Sequence, residues 1–466
     1  MIEVKSQKLT VFSLAMLNVA MVMSLRGLPI IAKEGMTMFF YIFFSTVLFL
    51  IPVSLVSAEL VTGWPEGGVY RWVKEAFGSR LGFVAIWLQW IQNIIWCSTV
   101  LTFIAATIAY MFFDQALATN KIFIVSVSLI IYWSAIFINS CGIKTASWIT
   151  TLFVLSGTIF PGLLIIAFGL IWFFQGQPLA FVQDATSNLL PDFSNFESIA
   201  FLAGTILLFA GMEIAAVHAK NMNNPQKDYP RSVFISVLII LFVFSFGALS
   251  IGSIIPINDI SLTAGIMQGF QELLTLFHIK WLLPVIGFLV CFGTIGGIIA
   301  WVGGPSKGLL ATAKSGEIPP FFHYQNKNGV QTHILWIQGL IVTALAFVFV
   351  IIPDVNVAYF LLTSLTATLY LFMYLLMYAA ALRLKYSKSE VFRSYQVPGG
   401  KLGMWIISGI GLLAVLFAIV VSYFPPSQLP VSDPMTYVWF MIIGSILFTV
   451  APVCIQIFKQ RSWIAK

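Results

Sequence analysis

Long apolar stretches separated by short polar turns run almost the whole length of this chain. A membrane-crossing helix needs about 20 mostly apolar residues. Twelve stretches meet that need, near residues 9–32, 37–61, 81–112, 122–141, 146–174, 197–217, 231–254, 281–304, 333–352, 356–382, 403–424 and 435–458. They predict an all-α membrane protein of about 12 transmembrane helices. The longest polar connections lie near 175–196 and 255–280, and the second is expected to hold a short re-entrant or surface helix around Ala264–Phe277. The first apolar stretch runs past signal-peptide length and has no small-residue cleavage site, so no cleavable leader is expected.

Composition agrees. Of 466 residues, 59% are hydrophobic and 9% charged, against about 25% charged in an ordinary soluble domain. Such a chain cannot cover a water-facing surface, but it can cover a lipid-facing one. The net charge of +7 is read as topology rather than as a nucleic-acid partner. With the N-terminus cytoplasmic, all but four of the 24 Lys and Arg residues fall on the cytoplasmic side. Clusters there include Arg71, Lys74 and Arg80; Lys220, Lys227 and Arg231; and Arg383, Lys385, Lys388 and Arg393. Lys33, Lys121 and Lys280 fall outside, and Arg26 falls within a span. The asymmetry predicts both termini inside and supports an even number of helices. Cys97, Cys141, Cys291 and Cys454 have no metal-ligand or disulfide spacing and are expected to be small buried apolar residues.

Three charges sit well inside apolar spans: Arg26, Glu59 and Glu213. A charge at the bilayer centre costs about 2.5–3.5 kcal/mol on insertion scales, so each needs a partner or a wet cavity. Glu59 lies near the cytoplasmic end of the second span and is expected to have a structural or gating role, for instance with an interfacial arginine. Arg26 and Glu213 instead lie in sequences that break helices. The first break reads Ser24-Leu25-Arg26-Gly27-Leu28-Pro29, where proline removes a backbone donor and glycine weakens the helix. The second reads Phe209-Ala210-Gly211-Met212-Glu213. These are the first and sixth spans, matching elements of two five-helix repeats, 9–174 and 197–382. The spans of 403–458 follow the second repeat, with short segments 1–8 and 459–466 at the ends. Paired interruptions in matching halves mark a transporter's binding site, because opened backbone presents N–H groups to a carboxylate and carbonyls to an ammonium. Arg26 either pairs with Glu213 or faces the substrate's side chain. Gln92 and Asn93 are expected to bond between helices. The Gly296-Gly297 and Gly303-Gly304-Pro305 stretches would serve close packing or rocking.

The residues then resemble a known family. Ala58-Glu59, Trp64-Pro65-Glu66-Gly67-Gly68-Val69, Pro191-Asp192-Phe193, Gly211-Met212-Glu213 leading to Asn224-Pro225 and Asp228-Tyr229-Pro230, Ser261 to Gln268, Gly304-Pro305-Ser306-Lys307-Gly308, Asn326 to Val330, and Pro398-Gly399-Gly400-Lys401 occur in order along nearly the whole chain. Together they resemble the amino acid–polyamine–organocation superfamily, and within it the bacterial glutamate/γ-aminobutyrate antiporters. The resemblance implies a LeuT-like 5+5 inverted repeat plus two peripheral helices, alternating access, amino-acid exchange and a bacterial inner (cell) membrane. The helix breaks supply Ser24, Leu25, Arg26, Gly27, Phe209, Ala210 and Gly211 to the expected substrate site, and the resemblance adds Glu213, Gly297, Trp301, Tyr370 and Tyr374. The chain departs from the acid-resistance antiporters at Leu25-Arg26-Gly27, where they carry tyrosine and glutamate, and at Gly297, where they carry glutamate. Their C-terminal cytoplasmic plug is not expected here, since only a short basic tail follows the twelfth span. Glutamate specificity and low-pH gating therefore do not carry over.

A membrane-embedded enzyme would need clustered ionisable groups. His218, His278, His323 and His333 lie in loops or at span ends and form no ligand pattern, so no catalytic residue, cofactor or metal is expected. No ring of charges or symmetric filter suggests a channel. The expected partners are the lipid bilayer and a small amino acid or its amine derivative, with proton coupling open. Proton-coupled uptake is the alternative to exchange, and a transport-dead sensor is a remote third.

Overall fold

The computed structural model describes residues 10–65, 67–141, 155–183, 188–215, 222–429, 431, 433–460 and 463. Glu66, His218 and Lys220 lie outside the described residues. The chain is a bundle of long helices, and no strand pairing forms a sheet among the described residues. Among the described residues, eleven helical stretches are long and apolar enough to cross a membrane. The twelfth, the first span, is divided. Its inner half is Val11–Val22, 12 residues, and its outer half is Leu28–Ala32, 5 residues. Neither half spans a bilayer alone, but end to end they do. The predicted architecture of about 12 transmembrane helices is therefore the one observed.

The spans divide by burial. In the third (Ser79–Met111), sixth (Phe196–Ile214) and tenth (Val355–Ser387), 83% of the apolar window is inside the protein; in the twelfth (Pro434–Ile457) only 17% is. Side chains that are apolar on every face suit both settings, so packing selects the inner helices. The third span packs on the eighth (Lys280–Lys314) and on the tenth. Buried polar bonds tie neighbouring spans. Trp90 donates to Gln338 at 3.1 Å, and Gln338 donates to the Tyr132 hydroxyl at 2.8 Å. The short helix expected near Ala264–Phe277, re-entrant or at the surface, is present as Gly265–Leu276. Cys97 and Cys291 are buried as expected, whereas Cys141 and Cys454 are exposed. Those two lie at the end of the fourth span and on the little-buried twelfth, where an apolar thiol can face outward as readily as leucine.

At the end opposite Glu59, the turn between the first two spans carries Glu34. The Gln428 amide donates to both its oxygens, at 3.1 and 3.3 Å, and to the Ser198 carbonyl at 3.0 Å. Burial pushes the Glu34 carboxyl up to about 8, and Gln428 opposes that shift. The folded protein thus holds this proton more tightly than the unfolded chain does. Stability should fall as pH rises from about 4.5 to about 8 and level off above. Thermal unfolding across that window should show the fall, and Glu34→Gln should flatten it. An equal slope in the variant would refute the assignment.

Candidate substrate site

Both expected helix breaks are present. In the first span the helix ends at Val22, and Met23 and Ser24 are extended. A 3-10 turn, Leu25–Gly27, leads into the outer half. Pro29 sits in the first turn of that half, where a missing N–H leaves no helical bond unmade. In the sixth span the helix Phe201–Leu208 stops and restarts at Met212–Ala215. Gly211 makes the turn with φ +118°, a conformation that side-chain-bearing residues rarely adopt.

A central cavity of about 90 Å³ opens between the breaks. Ser24, Leu25, Arg26, Ala210, Gly297, Trp301 and Tyr370 line it, with Gln92, Asn93, Trp96, Gly157 and Gly293. Seven of the expected site residues are thus brought together. The other five do not line this cavity. Gly27 is packed so tightly that an added Cβ would lie 2.4 Å from Leu208. Phe209 is buried edge-on against Phe244. Gly211 donates its N–H to the Tyr374 hydroxyl at 3.2 Å, so both shape the break. Tyr374 donates to Glu213 Oε2 at 2.6 Å. Glu213 itself lines a second cavity, described below.

The two buried charges do not pair. Arg26, 2% exposed, donates from Nη1 to Thr99 Oγ1 and to the Tyr359 hydroxyl, each at 3.1 Å. Its guanidinium carbon lies 5.3 Å from the Trp96 ring centroid, within cation–π range. Its Nε has no partner, and no carboxylate lies within 4 Å among the described residues. Glu213 accepts from the Tyr370 hydroxyl, from Tyr374, and from the Gln89 amide at 3.5 Å. Neutral groups from the third and tenth spans therefore meet each charge, as acceptors for Arg26 and as donors for Glu213, and the Arg26–Glu213 pair, one of the two expected alternatives, is not made.

Asn93 corrects a second expectation. It is 1% exposed, lines the cavity, and neither its amide nitrogen nor its carbonyl oxygen has a partner among the described residues. Helix–helix bonding does not explain it, and Gln92 bonds within its own helix rather than across to another, to the Gln89 carbonyl at 3.1 Å. A buried, unsatisfied amide costs about 1–3 kcal/mol, which a ligand in the cavity would offset. Thr99, Tyr359, Gly157 and Gly293 were not foreseen. Nothing in their sequence context separates them from neighbouring apolar stretches.

Glu59 sits in a buried ionic cluster. Lys385 Nζ and Arg393 Nη1 donate to its Oε1 at 2.7 and 2.8 Å, and the Val397 N–H donates to Oε2 at 2.7 Å. Arg393 also caps the tenth span through the Leu384 carbonyl at 2.8 Å and lies over the Trp64 ring. The expected structural role is thus a three-way tie between the second span, the tenth span and the segment after it. Trp87 and Trp90 pack against each other at 5.2 Å within the bundle. Trp96 meets Trp301 at 5.5 Å across the cavity.

Comparison with known proteins agrees with this architecture. The amino acid permease family model matches residues 9–447. An uncharacterized transporter of Legionella pneumophila is 41% identical over 445 residues, covering 95% of each chain. A glutamate/gamma-aminobutyrate antiporter of Lactococcus lactis is 32% identical over 452 residues, covering 96% of this chain and 90% of the other. A probable agmatine/putrescine antiporter of the same species is 25% identical over 451 residues, covering 95% and 93%.

Proposed function

This chain belongs to the amino acid permease family, a family of transporters rather than enzymes, and from that premise we propose that it is a secondary active antiporter. It exchanges an amino acid with an acidic side chain for another amino acid or an amine derivative, by alternating access. The similar glutamate/gamma-aminobutyrate and agmatine/putrescine antiporters support exchange and substrates of this size. The cation-rich end of the bundle faces the cytoplasm of a bacterial cell and both termini lie on that side, as the Lys and Arg distribution implies.

One observation carries the substrate reading: a buried guanidinium in the central cavity with no carboxylate beside it among the described residues. A single buried charge is costly, and a substrate carboxylate supplies both the counter-charge and an acceptor for Nε. Opened backbone at 23–25 and 209–211 holds the α-amino and α-carboxylate groups. Asn93 offers its amide from the third span, and Trp301 and Tyr370 close the walls. Rocking of the two repeats exposes the cavity to each side in turn.

Arg26→Gln tests this. A hydrogen bond to a charged group contributes about 1.5–3 kcal/mol, or roughly 10- to 150-fold in affinity. Equilibrium binding of glutamate to the purified protein should weaken by that factor, while binding of a neutral amino acid changes less than about threefold. Equal loss of both, with thermal unfolding unchanged, would sink the acidic-substrate reading. Counterflow tests exchange: label should accumulate only in vesicles preloaded with substrate. Uptake into empty vesicles driven by a pH gradient would replace exchange with proton-coupled uptake.

A further inference from the structure

A second cavity, of about 300 Å³, lies on the Glu59 side of Trp301, and Trp301 lines both cavities. Its size is at the lower end of the roughly 300–1,000 Å³ usual for small-molecule sites. Its walls are largely apolar, including Val61, Val69, Trp72, Ile86 and Ile214. Besides the indole N–H groups of Trp72 and Trp301, Gln89 and Glu213 are its lining side chains with hydrogen-bonding capacity among the described residues.

Glu213 is 4% exposed. Tyr370, Tyr374 and Gln89 all donate to its two oxygens. Three donors converging on one carboxyl group would hold its ionised form, since a protonated acid would spend one oxygen as a donor. All three donors are neutral, and no cation pairs with Glu213 among the described residues. No Lys or Arg lines this cavity among the described residues. A ligand here gains from carrying one positive charge on an apolar body. A carboxylate on the ligand would meet the like charge of Glu213 and no cation. Arg26, which would welcome a carboxylate, lines the central cavity instead.

We propose that this inner cavity is a binding site for an organic monoamine, an alkyl or arylalkyl ammonium without a carboxylate. It is separate from the acidic-substrate site. The ammonium sits on Glu213 and Gln89, and the hydrocarbon lies between Trp72 and Trp301. The inference stands on the inner cavity and does not require the acidic-substrate reading.

The test is equilibrium binding of radiolabelled n-hexylamine to the full chain in lipid nanodiscs, with empty nanodiscs as the blank. Saturable binding is expected, displaced by phenethylamine but not by hexanoate, 1-hexanol or glutamate. Glu213→Gln should weaken it at least tenfold. Gly304→Leu should do the same by filling the cavity: Gly304 lines it, and a Cβ added there meets nothing within 4 Å. Glutamate binding by the Gly304→Leu protein should stay within twofold. Hexylamine binding no greater than in empty nanodiscs would overturn the proposal. So would displacement by glutamate at its own binding concentration, or unchanged binding in both variants. If hexylamine behaves as expected but glutamate never binds, the acidic-substrate reading falls and the amine site stands.

Discussion

Glu59→Gln is expected to destabilise the protein by about 3–5 kcal/mol, the usual effect of removing one member of a buried ion pair. The carboxylate is 1% exposed, and its two cationic partners are 7% and 5% exposed. Glutamine keeps the shape but brings one neutral oxygen and an NH₂ group. Whichever way the amide turns, its NH₂ faces a donor, either the Val397 N–H or the Lys385 and Arg393 pair. Two cations remain buried with no counter-charge. Heating purified wild type and variant in detergent, and following the folded fraction, should show a large drop in midpoint. The cost is uncompensated charge rather than lost contact, so adding Lys385→Met should recover part of the loss. A variant within 1 kcal/mol of wild type would remove Glu59 from the list of stabilising residues.

The second large effect is expected where the fifth and eighth spans touch backbone to backbone. A Cβ added at Gly157 would lie 2.1 Å from the Leu289 carbonyl oxygen and 2.3 Å from the Gly293 nitrogen; one added at Gly293 would lie 2.5 Å from the Gly157 carbonyl carbon. No flexible side chain can move aside there. Either the two helices separate or the substituted residue distorts. Overpacking of this kind costs about 1–3 kcal/mol. The larger consequence falls on transport, because both glycines line the central cavity. Displacing either helix moves the cavity wall, and a misplacement of about 1 Å can cost roughly 100-fold where positioning matters. Gly157→Ala and Gly293→Ala should each slow exchange in proteoliposomes by at least about tenfold, by the same reasoning. Gly409→Ala serves as the control, since a Cβ there meets nothing within 4 Å. It should leave exchange unchanged and stabilise the helix slightly. Exchange rates within twofold of wild type for both cavity glycines would show that the contact yields without consequence.

The two sites differ in how far their sequence announced them. Glu59 is a charge in an apolar span, so its need for a partner follows from solvation alone, and basic residues after the tenth span were at hand. The Gly157–Gly293 contact has no such mark. Glycines recur along many of the spans, and which two meet depends on how the helices rotate. A helix that is apolar on every face carries no periodic signal of its inward side. The same blindness explains Asn93, which was expected to bond to a neighbouring helix but faces the cavity unpartnered. It also explains Arg26 and Glu213. Each lies at a break, and pairing them would have satisfied both. Instead Thr99 and Tyr359 take one while Tyr370, Tyr374 and Gln89 take the other.

By itself, the sequence determined the class of molecule and where its helices fail. Length and hydropathy demand membrane spans, because lipid leaves no water for unpaired backbone groups. Proline and glycine place the interruption in the first span, glycine places the one in the sixth, and three buried charges single out the residues that need partners. The tertiary structure alone decided which partners those are. It set Arg26 in a central cavity and Glu213 in an inner one, with Trp301 between them. Helix rotation and depth are set by packing among many apolar side chains of similar transfer energy, and no local run of residues encodes that choice.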